Sequence, residues 1–170
     1  MVNAGNQSSK NILSVLSLNE EKLNILKEIL DISLKIKDEA DKAYQTDDDD
    51  EADGAIENIA SFVDAREEFI ENIQNIELSL KHYGEQLREE DAAAFENLQK
   101  ADGFTKTAAE IRNVMESIRT ADEAGSRKIA DAMTDIKAKI KAVKDNRALM
   151  DRYVGDNEMP QSGTLLSEKK

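Results

Sequence analysis

One apolar stripe near the C-terminal end constrains this chain more than anything else in it. Its members are Ile111, Met115, Ile118, Asp122, Gly125, Ile129, Met133, Ile136, Ile140, Val143, Arg147 and Met150. Successive steps alternate between four and three, with one extra step of four. Such spacing puts every member on the face of a helix that meets another helix. The extra four-step reads as a stutter, which unwinds a supercoil locally without losing the seam. The single proline, Pro160, lies beyond the stripe. A helix from about Thr105 to Tyr153 would be roughly 70 Å long at about 1.5 Å per residue. The expected architecture is therefore an elongated bundle with this helix as its spine. A thin bundle of that kind is suited to holding partners.

The rest of the chain reads as more helix. Charged residues make up 35% and aromatics only 4%, with seven glycines and one proline to make turns. That composition predicts an all-α fold with a narrow core of Ile, Leu, Ala and Met. Residues 1–17 are polar at the start and are expected to be loose. Ser17 and Glu20 form a capping-box pattern, so the first long helix is expected over 18–46. Its stripe is Ile25, Ile29, Ile32, Ile36, Ala40 and Ala43, with Leu23, Leu26, Leu30 and Leu34 beside it. The acidic run Asp47 to Asp50 reads as a turn and a helix start, since carboxylates favour the positive end of a helix dipole.

The second long helix is expected over 51–89. Its stripe is Ala52, Ile56, Ile59, Val63, Ile70, Ile73, Ile76 and Leu80, with Phe62, Phe69 and Tyr83 on the flank. A short tip helix over 91–100 and a turn at Asp102-Gly103 lead into the third long helix, 105–153. Residues 154–170 read as a flexible tail. These elements compose a single helical domain, an antiparallel bundle or coiled coil of three long helices.

The net charge of −13, from 36 acids against 23 bases, excludes nucleic acid as the main partner and disfavours anionic membrane surfaces. No apolar run approaches the ~20 residues that a bilayer span requires, so membrane insertion is not expected. With no cysteine and no signal peptide pattern, the expectation is a cytoplasmic protein.

Catalytic and metal-binding patterns fail one by one. Placing Gly54 at position six of a calcium loop puts Asp49, Glu51 and Asp53 at positions one, three and five, but position twelve is Ala60 rather than a bidentate Glu. His82 is the only histidine, and no cysteine exists to share a zinc ion with it. No phosphate-cradling glycine loop occurs. The expectation is no metal, no cofactor and no enzymatic activity.

Two polar intrusions stand out. Arg66 interrupts the second helix's stripe, and Asp122 with Gly125 interrupts the third. Polar groups in a seam fix register at some cost in stability. Gly125-Ser126 also admits a true break, though the apolar phase kept from Ile118 to Ile129 favours a continuous helix, and Gly125 admits a functional reading as a joint about which the end of the third helix swings.

Three segments carry a family resemblance. Residues 61–77 (SFVDAREEFIENIQNIE) resemble the Arg-Glu-x-x-Ile-x-x-Ile helix of flagellar export chaperones. Residues 136–153 (IKAKIKAVKDNRALMDRY) resemble that family's C-terminal Ile/Lys stretch ending in an aromatic. Residues 162–170 (SGTLLSEKK) are similar to the small-Gly ending of some members. The nearer type is FlgN, the chaperone of hook–filament junction proteins, with the related filament-cap chaperone second; the segment before Ser17 and the long acidic turn depart from the usual pattern. The resemblance implies a non-enzymatic cytoplasmic chaperone. It would bind helical terminal segments of late flagellar subunits, keep them unassembled and present them to the type III export machinery. By that resemblance, client binding is expected at Ile136, Ile140, Val143, Met150 and Tyr153, with Tyr153 also a docking point on the export machinery. Packing of the same residues against the first helix is the plainer alternative.

Other readings stay open at this point: a structural coiled-coil adaptor, a homodimer, or an amphipathic lipid-surface protein. A structural rod saturates its own apolar faces, whereas a chaperone leaves a patch exposed.

Overall fold

The computed structural model describes the backbone of residues 4–46 and 48–155, and the side chains of 7–46, 48, 50–134, 138, 141, 142, 144 and 145. The chain is all-α: α1 runs Ala4–Gln45, α2 Asp49–Glu90, α3 Ala92–Lys100 and α4 Asp102–Gly155. Two compact units divide it, Met1–Asp131 and Ala132–Lys170. Among the described residues, no helix is long and apolar enough to cross a membrane.

In the first unit, α1 and α2 run antiparallel. Lys22 pairs with Glu77 at 2.8 Å, Asn58 donates to Glu39 at 3.2 Å and Asn11 to Glu90 at 3.2 Å. The first part of α4 runs alongside α1 in the same direction, as Lys27–Glu110 at 2.7 Å and Lys128–Asp41 at 3.4 Å show. The main core joins Leu23, Leu26 and Ile29 of α1 to Ile111, Val114 and Ile118 of α4, with Phe69 and Ile73 of α2 against them.

α1 begins far earlier than the capping box at Ser17 suggested. The expected loose segment is helical from Ala4. Tertiary packing explains the difference. Val15 joins Leu87 and Leu98 in a second core at the bundle tip, with Ile12, Leu16, Phe95 and Phe104 packed on it. Ser8 and Asn11 are buried there as well, so a polar-looking stretch has a covered face. Burying such a face outweighs the weak local preference of serine for a cap.

Caps set the other boundaries. The Asp48 carboxylate accepts from the backbone N–H groups of Asp50 and Glu51, which starts α2. Asp91 closes α2 through its N–H to the Leu87 carbonyl and opens α3 by accepting from Ala94 at 2.9 Å. Gly84 lies within α2 and does not end it. Asp47 and the side chain of Asp49 lie outside the described residues, as do residues 156–170 of the expected tail.

The buried seams differ from the stripes in the sequence. On α2 one covered row runs Ala55, Ile59, Phe62, Arg66, Phe69, Ile73, Ile76, Leu80, Tyr83 and Leu87, stepping by four and three without a fault. Phe62, Phe69 and Tyr83, expected on the flank, are in the seam. Ile56, Val63 and Ile70, expected in it, are 47%, 42% and 39% exposed. On α4 the seam is Phe104, Thr107, Ile111, Val114, Ile118, Ala121, Gly125 and Lys128. Met115, assigned to the core from sequence, is 50% exposed, while Val114 and Ala121 are buried. The extra four-step of the sequence stripe, from Gly125 through Ile129 to Met133, lies at the end of that stretch and beyond it. Small residues let the α4 backbone sit close to α1, and a large side chain one position on is left at the edge.

Gly125 is such a place. It is buried inside an unbroken α4, and a methyl group on its Cα would stand 3.5 Å from the Lys37 Cα. The glycine thus has a packing role where α1 and α4 touch backbone to backbone.

Candidate helix-binding trough

The three long helices of the first unit do not close on each other evenly. α2 and α4 both rest on α1 and leave an open trough between them, with a volume of about 650 Å³. Its floor is apolar: Leu26 and Ile29 of α1 are buried beneath it, with Ile118 of α4 and half-buried Ile73 of α2. Its rims carry Ile70 from α2 and Met115 from α4, both exposed. Helical geometry explains the two rims. Each side chain lies one position beyond a seam residue, Phe69 or Val114, so it borders the covered face without entering it.

The α2 rim extends past the trough. Ile56, Val63 and Ile70 recur every seven residues, two turns apart, and form one row along the helix. α2 therefore carries more apolar rows than its contact with α1 uses.

An ion pair ties the two walls together. Arg66 of α2 donates through Nη1 and Nη2 to the two carboxylate oxygens of Asp122 on α4, at 2.8 Å and 2.6 Å. These are the two polar intrusions singled out in the sequence, and they meet. The fork-to-fork geometry fixes the alignment of α2 on α4 as well as adding energy. Arg66 Nε is buried without a partner among the described residues, so the guanidinium is held for its two outer nitrogens alone. Arg119 and Arg127 on the α4 side are occupied by Glu116 and Glu123.

A second hollow, of about 380 Å³, lies at the tip between Val15, Leu80, Phe95 and Phe104. His82 is exposed, with its ring 5.5 Å from that of Tyr83. Among the described residues, no group of three or more His, Asp or Glu is placed to hold a metal ion.

The expected client residues Ile136, Ile140, Val143, Met150 and Tyr153 all fall on α4 within the second unit. Their side chains lie outside the described residues. The trough itself went unread in the sequence because Ile70 and Met115 were taken into the core stripes. The signal was the doublets Phe62-Val63 and Phe69-Ile70: when both members of a pair are large and apolar, one seam cannot cover both. Neither a family model, nor a curated protein, nor a solved structure matches this chain.

Proposed function

We propose that this protein is a helix-binding chaperone of the flagellar export type, which receives a helical segment of a late flagellar subunit. The observation that carries this reading is the open trough, whose apolar floor and exposed Ile70 and Met115 rims are left uncovered by the first unit's own helices. An amphipathic helix laid in such a trough buries its apolar face by helix-in-groove packing. The resemblance of residues 61–77 to the chaperone helix supports the same reading, because that segment contains Arg66, Ile70 and Ile73, three residues that line the trough.

The clients proposed are hook–filament junction proteins, held unassembled in the cytoplasm and handed to the export machinery. The stripe of Ile136, Ile140, Val143, Met150 and Tyr153 is proposed as a further client contact, on the strength of the family resemblance.

Calorimetric titration of the full chain with synthetic terminal segments of hook–filament junction proteins tests the proposal. Saturable binding is expected, and Ile70→Asp with Met115→Asp abolishes it while far-UV helicity is kept. Unaltered binding by that variant removes the trough from the account, and no binding by the native chain removes the chaperone reading.

A further inference from the structure

The apolar row that runs on from the trough along α2 has a charged border. On α2 the apolar row of Ile56, Val63 and Ile70 is bordered on its outer edge by Asp53, Glu57, Asp64, Glu67 and Glu71, all exposed. Among the described residues none of the five has an ion-pair or hydrogen-bond partner. From Asp48 to Glu77 the only basic residue is Arg66, and Asp122 already engages it. The α4 wall differs, since its Arg119 and Arg127 are neutralised locally by Glu116 and Glu123. The trough is thus lined on its α2 side by Arg66, Ile70, Ile73 and Gln74, with the five carboxylates outside it along the outer edge of the Ile56–Val63–Ile70 row, and it is charge-balanced along its α4 side.

We infer that the occupant is an amphipathic helix whose flank against α2 is rich in Lys or Arg. This rests on the helix-binding reading and adds the chemistry of the partner to it. Ile56 to Ile70 spans roughly 21 Å of helix at about 1.5 Å per residue. A partner helix of about four turns covers that row, which places two or three of its flanking cations within reach of the α2 carboxylates. The apolar face supplies affinity, and the charged flank sets orientation and rejects acidic helices. A second copy of this chain's α2 is a poor occupant, because two acidic walls would face each other.

Two synthetic peptides of about 18 residues, roughly 27 Å as helix, decide the matter. They share one apolar face and differ only in carrying Lys or Glu along its flank. Their binding to the full chain is followed by fluorescence anisotropy. The Lys peptide is expected to bind at least about tenfold more tightly than the Glu peptide. That margin shrinks between about 0.01 M and 0.15 M salt, as the Debye length falls from about 30 Å to about 8 Å. The variant Asp64→Lys/Glu67→Lys/Glu71→Lys reverses the preference, with helicity checked by circular dichroism.

Ile70→Asp abolishes binding of the Lys peptide although all five carboxylates remain. If it does not, the attraction is diffuse charge and the inference fails. Equal binding of both peptides overturns the inference while leaving helix binding intact. Binding of neither overturns both. Self-association of the native chain that Ile70→Asp disrupts would put a second copy in the trough and overturn the inference as well.

Discussion

Arg66 and Asp122 face each other across α2 and α4 as a two-pronged ion pair, with both oxygens of the carboxylate engaged at 2.8 Å and 2.6 Å. The side chains keep 21% and 34% of their surface in contact with solvent. Water therefore weakens the pair without dissolving it. Asp122→Ala strands a half-buried guanidinium and is expected to cost about 1–3 kcal/mol. Arg66→Met with Asp122→Leu restores most of that loss, since an apolar pair of similar size avoids the desolvation penalty. Urea denaturation of both single variants and the double variant measures the coupling.

Gly125 has a packing role that alanine can also fill. The added methyl group would meet Lys37 Cα at 3.5 Å, an ordinary contact. Alanine removes the helix penalty of glycine, so Gly125→Ala is expected to stabilise the chain by up to about 1 kcal/mol. Gly125→Leu has no room for its outer carbons and lowers the melting temperature. If Gly125 were instead a joint that function requires, Gly125→Ala would reduce client binding while raising stability.

The tip core depends on Leu87, which has no exposed surface. It sits with Val15 of α1 and Leu98 of α3, so one side chain joins three elements. Leu87→Ala is expected to cost about 2–5 kcal/mol through lost burial and the cavity left behind. Hydrogen exchange should show the loss of protection reaching the first turns of α1 as well as α3. Loss confined to α3 would mean that the start of α1 is held by something else.

Much of the fold was legible from spacing. Helix existence, the boundary between α1 and α2 and the short α3 follow from heptads, acidic caps and the scarcity of glycine and proline. Phase within a helix was not legible. α2 has two adjacent apolar rows, and only packing shows that Phe62 and Phe69 are covered while Val63 and Ile70 are exposed. On α4 the large residue Met115 drew the stripe away from Val114, which is smaller and buried. The start of α1 was missed because the polar opening of residues 1–17 read as loose, although Ser8 and Asn11 are buried and Asn11 bonds Glu90 of α2. Arg66 and Asp122 were visible as anomalies, and their pairing required the antiparallel register of α2 on α4.

Near the turn between α1 and α2, Glu39 accepts from Lys42 and from Asn58, whose Nδ2 stands 3.2 Å away. The Lys42 bond, followed by the Asn58 bond, holds the Glu39 carboxyl below its usual value of 4.5. A carboxylate with a depressed folded value adds stability above its unfolded value, and that stability is lost as pH falls through the folded value. The contribution is therefore present at neutral pH and fades below about pH 4.5. Carboxyl chemical shifts against pH should give Glu39 a midpoint under 4.5, and Asn58→Ala should move that midpoint upward.

The central claim is that α2 and α4 hold a partner helix between Ile70 and Met115. Methyl NMR of the full chain, titrated with a hook–filament junction terminal segment, tests it most directly. The Ile70, Ile73 and Met115 methyl signals should shift together and saturate, while Leu87 at the tip stays in place. Saturable binding that leaves all three trough methyls unmoved would contradict the account.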